Sequence, residues 1–562
     1  MMRTGSEYGA PIKAPHTAGP VPHAWIDALP FALFLPLAWM ILRSPLQINH
    51  DCAYVLECAR ILTEGGLPYV DFIDINPPLI FYMNMAPVYV SKATGLLLPQ
   101  AFSLFVAGQL LVSSVLLFSL FRMRELNLKP AARAALLAGW IVSSLFVYAT
   151  GDFGQRDYLV IIMVFPFVIV RVIRYYGDRV RPAPSMVIGI MTGIGLSLKP
   201  YFFLLVLIPE AIALVRTRRA RVLVAPEMLS ACAFTLSYAL HFLFLPERVH
   251  AELFGRWMPF FMHYYGTINL NLFHYMFTQP AVIAGSVSLV FGAVLAFVIV
   301  RRRGISSLRL EMLTGLFIGS FLSYWMQQKG YSYHALPAKI SFVMLSLFAA
   351  LWLYEEIMHR REQVRARKLW AVSASILILL GLFTLTVRAF IADRSYVTYE
   401  SFRMYRQAIR SYSAQEDRVL FINTVLFPAY PTLIQTGRRS ASRYLTSFPL
   451  AGFYYGSAET GTFPYRDRRA MPDEERRFLS ELGSDIETMK PALVFIHDGE
   501  HCSAMPEGFR MHDYFLHSGF IQEEMRDYRA KEHVGDFVLY VRALPDQAFA
   551  LHDSTRQQIS HD

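Results

Sequence analysis

The feature that most restricts this chain is a series of apolar runs, each close to the ~20 residues that cross a bilayer core. They lie near 25–42, 102–121, 134–150, 158–175, 185–199, 201–215, 228–245, 280–300, 310–326, 336–353 and 369–391, giving eleven candidate spans. Every second connection is strongly basic: 122–133 (Arg122, Arg124, Lys129, Arg133), 171–184 (Arg171, Arg174, Arg179, Arg181) and 216–226 (Arg216, Arg218, Arg219, Arg221). The same holds for 301–309 (Arg301, Arg302, Arg303, Arg309) and 355–368 (Arg360, Arg361, Arg365, Arg367, Lys368). All five fall on one side if the spans alternate, and the positive-inside rule makes that side cytoplasmic. The N-terminus is then inside and the C-terminus outside. Residues 79–94 (LIFYMNMAPVYVSKAT) are apolar but short, with a central Pro87. Counting them as a span would invert every later loop, so a helix lying at the outer interface is expected there.

Composition agrees with a polytopic α-helical membrane protein. Only 17% of the residues are charged and 54% are hydrophobic, against about 25% charged in soluble domains. The net charge of +10 does not point to nucleic acid, because most of the cations sit in short loops between spans. Cys52, Cys58, Cys232 and Cys502 match neither a disulfide framework nor a zinc signature and read as structural. Residues 1–23 form a polar, Pro-rich tail without a cleavage site, so the first span is expected to be retained.

Residues 24–392 read as the transmembrane domain; beyond them the composition changes. In 393–562, short apolar runs at Val419–Thr424, Ala492–Asp498 and Phe537–Val541 alternate with amphipathic patterns such as Asp473–Lys490, with Asp473 as N-cap after Pro472. This predicts a C-terminal extracytoplasmic α/β domain large enough for its own core. The residues from about Asp546 read as frayed. No internal repeat, P-loop or Rossmann fingerprint is present.

Outside that domain, the polar clusters all fall on the outer side. The first outer loop, 43–101, contains NHDCAYVLECARILTEGGLPYVDFIDINPP, with Asp51, Glu57, Glu64, Asp71 and Asp74 before the Pro77-Pro78 pair. GDFGQRDYLV sets Arg156 and Asp157 at the mouth of the fourth span, and Lys199-Pro200-Tyr201 makes a tight hairpin tip. QQKGYSYHALP adds Lys329, Tyr331, Tyr333 and His334. Acids and cations gathered at one membrane face predict a pocket that binds an anion and removes a proton.

Together, an acid after span one, the G-x-PYxDF…NPPL run, an acid at the start of span four and KGxxYHxLP resemble the GT-C glycosyltransferases. That superfamily includes protein O-mannosyltransferases and bacterial lipid A aminoarabinose transferases. The resemblance covers roughly residues 25–391. It implies a sugar passed from a polyprenyl-phosphate donor to an acceptor at the outer face. Many relatives carry two adjacent acids in the first loop; here Asp51 is followed by Cys52.

An acceptor hydroxyl must lose a proton as it attacks, so a carboxylate base is required. The family's first-loop acid corresponds to Asp51, whose bland alternative is capping a helix Cys52–Glu64. A leaving phosphate needs cations, and Lys329, Arg156 and Lys199 are the candidates, against simple interfacial snorkelling. His334 is placed either on the carrier phosphate or sugar, or merely packed among aromatics. Three roles are open for Asp157: holding Arg156, binding a divalent cation (Mg or Mn) with Asp51, or positioning the acceptor. A plain Arg156–Asp157 surface pair is the bland reading. Asp71 and Asp74 are expected to contact the sugar or simply form turns, and Tyr331 and Tyr333 are candidate sugar or acceptor contacts. No nucleotide cofactor is expected.

The reading is an inverting glycosyltransferase of the bacterial inner membrane, working on the periplasmic side with a lipid-linked donor and a glycan, lipid or protein acceptor. The rival is a transporter or flippase of lipid-linked saccharides, which predicts charges at mid-depth and inverted repeats. A purely structural assembly protein leaves the acidic loop without a purpose.

Overall fold

Residues 25–177, 180–267, 305–359, 402–454, 465–500, 502 and 505–543 are described by the computed structural model. Most of this chain is helical, because uniformly apolar segments satisfy their backbone groups internally. The first helices are α1 (Phe34–Arg43, after a 3-10 turn), α2 (His50–Thr63), α3 (Leu79–Thr94), α4 (Leu98–Phe121) and α5 (Pro130–Thr150). Then come α6 (Arg156–Tyr176), α7 (Pro182–Leu196), α8 (Leu204–Thr217) and α9 (Pro226–His241). The chain continues through α10 (Glu247–His250), a π-helical segment Ala251–Trp257, α11 (Met258–Thr267), α12 (Ile305–Gln327) and α13 (Leu336–His359). Proline stands in the first turn of α4, α5, α7 and α9, where its missing N–H is no loss.

Among the described residues, six helical segments are long and apolar enough to cross a membrane: 98–121, 130–150, 156–176, 200–217, 226–244 and 332–352. This marks the protein as membrane-embedded. The expected spans 25–42 and 185–199 correspond to the shorter apolar helices 29–43 and 182–196. The expected span 310–326 lies within α12, which carries Arg309 and Glu311. Spans 280–300 and 369–391 lie outside the described residues. The α6 segment is the axis of the body, 94% buried, with Trp140 of α5 stacked on its Phe165 at 4.7 Å. The 226–244 segment is only 11% buried and exposes Leu229, Leu236, Leu243 and Phe244, a surface suited to lipid.

Described parts of four of the basic connections lie close together, while the cations Arg301–Arg303 and Arg360–Lys368 lie outside the described residues. Arg133 pairs with Asp27 at 3.0 Å, Arg309 donates to the Leu126 carbonyl, Arg219 donates to the Tyr175 carbonyl, and Arg216 pairs with Glu311 at 3.4 Å. Arg133, Arg171, Arg174, Arg216 and Arg309, read as loop cations, stand in helices instead. Arg171 is fully buried within α6, and Arg309 is buried within α12. Arg171 forks onto Glu210 of α8 at 2.7 and 2.9 Å and reaches Glu227 of α9 at 3.1 Å. Arg174 adds a further bond to Glu227, and Tyr175 donates to Glu210. The expectation that polar clusters outside the C-terminal unit occupy one face only is therefore corrected. An Arg–Glu network buried between three helices was invisible because its members are far apart in sequence.

The C-terminal unit is a small α/β fold. Its five strands are β1 (Arg418–Ile422), β2 (Arg439–Ser440), β3 (Leu493–His497), β4 (Tyr528–Val534) and β5 (Phe537–Arg542), in the order β2-β1-β3-β5-β4. β1 is parallel to β2 and β3, while β5 is antiparallel to β3 and β4. Three of these strands are the apolar runs expected from sequence. Phe421 and Phe495 stack across the β1–β3 pair at 4.4 Å. The helix Asp473–Met489 forms as expected, but Pro472 is its N-cap and Asp473 stands in the first turn.

This unit is bonded to the helical body through α2. The Ser440 N–H donates to Glu57 at 2.8 Å, Arg439 pairs with Glu64 at 2.9 Å, and Gln435 donates to the Leu46 carbonyl at 2.9 Å. The helix Ala429–Thr436 packs on α2, with Tyr430 edge-on to Tyr54 at 5.2 Å.

Candidate functional site

At the end of the body opposite the basic connections, a cavity of about 1260 Å³ opens beneath the α/β unit. Four stretches build it: 43–55 around the start of α2, 149–156 before α6, 330–333 before α13, and 424–427 of the α/β unit. Asp74, Asn76, Phe261, Tyr264 and Phe448 are among the other residues of the wall. The volume exceeds the ~300–1,000 Å³ common for small-ligand pockets.

The geometry begins with Asn49. Its side chain, not that of Asp51, caps α2 by accepting the Asp51 N–H at 2.9 Å. Asp51 is thus released from the capping duty that the sequence allowed and stands in the first turn, where the helix dipole favours an anion. Its Oδ2 accepts from Gln155 Nε2 at 2.9 Å, and its Oδ1 is 3.6 Å from His50 Nε2. The Asp51 side chain keeps 21% of its surface accessible, so a substrate can reach it. The Gln155 amide also donates to Asn49 Oδ1 at 2.9 Å, and Asn49 Nδ2 donates to Asp152 at 3.3 Å. These bonds fix the orientation of both amides.

The GDFG turn makes this arrangement possible. Gly151 and Gly154 adopt φ of +89° and +91°, and a Cβ on Gly154 would stand 2.3 Å from Phe102 Cζ. Glycine is required where the backbone is left-handed and closely approached. The turn brings Gln155 to the N-cap of α6, so two helix N-termini, those of α2 and α6, face the same cavity.

Arg156 lines the cavity and donates to the Asn76 side chain. Asp74 accepts from the Asn76 backbone N–H. Burial pushes the Asp74 carboxyl up to about 6, while the Asn76 N–H and Arg156 pull the other way. Tyr69, of the PYxDF run, sits at φ +64° and donates to the Asn76 carbonyl at 2.6 Å, closing the loop over Asp74. Burial, with Asp51 and Asp152 nearby, pushes the Cys52 thiol up and keeps it protonated.

No family model matches this chain, and no curated protein matches it in sequence.

Of the residues singled out from sequence, Asp51, Arg156, Asp74, Tyr331 and Tyr333 share the cavity wall. Tyr331 and Tyr333 stack at 5.7 Å on one side of it. Asp157, Lys199, Lys329, His334 and Asp71 do not line it. Asp157 is fully buried and pairs with Lys199 at 2.6 Å, not with Arg156, which corrects the surface-pair reading. Lys199 also donates to Gln327 at 3.0 Å, and burial lowers its ammonium to about 8 against the pull of Asp157. Burial likewise lowers Lys329 to about 8. His334 is buried with its ring 4.4 Å from that of Tyr333. Asp71 is exposed and accepts the Leu67 N–H at 2.7 Å, a turn contact.

An ion shared by Asp51 and Asp157 does not fit this arrangement. One carboxylate faces the cavity, and the other is engaged with a buried lysine. Among the described residues, no group of three or more His, Cys, Asp or Glu side chains is spaced to hold a metal.

Sequence reasoning missed Asn49, Asp152, Gln155 and Asn76, together with the contribution of 424–427. Asn49 carried a readable signal, as an Asn just before an amphipathic run. Gln155 and Asp152 lie in the same GDFGQRD segment as the charged Arg156 and Asp157.

Proposed function

We propose that the protein is an inverting glycosyltransferase that moves a sugar from a polyprenyl-phosphate donor to a glycan, lipid or protein acceptor. In this reading it is a GT-C-like enzyme of about eleven spans in a bacterial inner membrane, acting at the periplasmic face. The observation that supports it best is the accessible Asp51 carboxylate, held by Gln155 in a large cavity at the helix ends with Arg156 in the same wall.

The acceptor hydroxyl passes its proton to Asp51 as its oxygen attacks the anomeric carbon. The bond from that carbon to the phosphate oxygen breaks, and its electron pair leaves with the phosphate. A single displacement inverts the anomeric centre. Arg156 and the N-termini of α2 and α6 meet the developing phosphate charge. Of the cations named from sequence, Arg156 carries this role, because Lys199 is committed to Asp157. Gln155 orients the Asp51 carboxylate, and Asn49 orients Gln155. A polyprenyl tail stays in lipid while its phosphosugar reaches the end of the spans, which suits a cavity at that depth.

The test is transfer of labelled sugar from a panel of polyprenyl-phosphate donors by the purified chain, with Asp51→Asn alongside. Turnover in the parent, lost in a variant that still folds and binds donor, supports the assignment. Turnover surviving in Asp51→Asn removes Asp51 from the base role. No turnover with any donor, combined with movement of lipid-linked sugar across vesicles, replaces the enzyme with a flippase.

A further inference from the structure

The cavity wall extends well beyond Asp51. It runs back along the same segment through Gln47, Leu46, Pro45 and Ser44 to Arg43, the last residue of α1. That helix has two unlike sides. Leu37 and Ile41 are buried, whereas Leu35, Trp39 and Leu42 are 73%, 62% and 56% exposed. Spacings of four and three residues place those three on one helical face. The cavity therefore reaches the end of an apolar helix whose open face suits a lipid chain.

Arg43 is exposed at that edge, its guanidinium 5.7 Å from the Trp39 ring centroid. Among the described residues it makes no hydrogen bond and no ion pair. The other arginine and the carboxylates of the wall are engaged: Arg156 with Asn76, Asp51 with Gln155, Asp74 with the Asn76 N–H and Asp152 with Asn49. The backbone on either side of Arg43 is tied down. The Leu46 carbonyl accepts from Gln435 at 2.9 Å, Gln47 donates to the Tyr148 carbonyl at 2.8 Å, and the Tyr148 hydroxyl donates to the Met40 carbonyl at 3.3 Å. A helix C-terminus favours a cation, and an interfacial arginine snorkels to water. Neither accounts for its place in the cavity wall with five N–H donors unmet by the protein.

An amphiphile with a phosphate between its apolar chain and its polar head matches this edge. The guanidinium forks onto phosphate oxygens, the chain lies on the open face of α1, and the head follows the wall toward Asp51. The donor phosphate has a different place, because it is bonded to the reacting carbon and leaves beside Arg156. An in-line displacement brings the acceptor to the opposite side of that carbon. We propose that Arg43 and the open face of α1 hold a second lipid-linked phosphate, the one that carries the acceptor. The acceptor is then a glycan anchored on a lipid phosphate, not a protein side chain. This rests on the glycosyl-transfer reading above.

The experiment is native mass spectrometry of the purified full chain released from detergent, titrated with farnesyl phosphate, farnesol or inorganic phosphate. Arg43 is exposed and bonded to no other side chain, so Arg43→Gln tests the edge with little risk to folding. The parent should take up two farnesyl phosphates. Arg43→Gln should weaken one of them about tenfold, the loss of a hydrogen bond to a charged group, and Arg156→Gln should weaken the other. Farnesol and inorganic phosphate should each bind at least tenfold more weakly than farnesyl phosphate. A single copy in the parent, two copies unaffected by Arg43→Gln, or equal binding of farnesol or inorganic phosphate overturns the proposal. Any of those results alongside sugar transfer by the parent leaves the glycosyl-transfer reading standing. Two copies that respond as expected, without transfer from any donor, sink that reading and keep a lipid-phosphate site at Arg43.

Discussion

The two ends of the helical body use charge in opposite ways. At the basic end, Arg171 and Arg174 meet Glu210 and Glu227, and Arg171 has a partner for each of its nitrogens. At the cavity end, Asp51 is held by a neutral amide and a neighbouring histidine, with part of its surface open. A buried ion pair that is fully satisfied serves packing and registry. A carboxylate that is oriented and partly open is within reach of a substrate. The difference separates charges that hold helices from charges available for chemistry.

The largest effect expected on this contrast is at Asp51. Asp51→Asn should lower turnover by about 10²–10⁴-fold, the usual contribution of a general base, with an unchanged thermal unfolding midpoint in detergent. Arg171→Met should do the reverse. It removes the guanidinium from Glu210, leaves Glu227 to Arg174, and should cost about 3–5 kcal/mol of stability. Replacing Arg171, Glu210 and Glu227 together by Met and Leu should recover most of that loss. If Arg171→Met left the unfolding midpoint unchanged, the structural role of the network would be wrong.

Asp74 sharpens the comparison through pH. Its folded pKa is raised from 3.8 to about 6 by burial, so the native state keeps the proton longer than the unfolded chain. The stability linked to that proton is complete below the unfolded value and is lost as pH rises through about 6. Asp74→Asn should therefore match the parent near pH 4 and exceed it by up to about 3 kcal/mol at pH 8, two units at 1.36 kcal/mol each. Chemical denaturation at the two pH values measures this, and a gap independent of pH would contradict it.

The smallest effect is at the cap. Asn49→Ala should cost about 1 kcal/mol and, by releasing Gln155, lower turnover without abolishing it. Equal turnover in parent and variant would remove Gln155 from the positioning of Asp51.

Much of this architecture was legible residue by residue. The helix Leu79–Thr94 matches the apolar segment 79–94, and three strands of the sheet match the three apolar runs of the C-terminal region. Each is a local signal, carried by hydrophobic runs and by proline or glycine at the edges. The site was legible only in part. Charge drew attention to the NHDC, GDFGQRD and KGYSYH segments, and the structure does bring parts of all three to one cavity. Within each segment, however, the choice of residue depended on direction. Arg156 and Asp157 are adjacent, yet Arg156 faces the cavity while Asp157 points into the body toward Lys199. A helix turns about 100° per residue, and nothing in the sequence says which face the cavity will take.

The sequence by itself determined that the chain is built largely from apolar helices with a mixed domain after them, because bilayer length and hydrophobic period are local properties. Only the tertiary structure decided that Asn49 rather than Asp51 caps α2, that Lys199 is committed to Asp157, and that residues 424–427 roof the cavity. Those outcomes depend on hydrogen bonds and contacts between segments 42 or more residues apart, or, for the cap, on which of two nearby side chains meets a free N–H. Composition and spacing do not encode either.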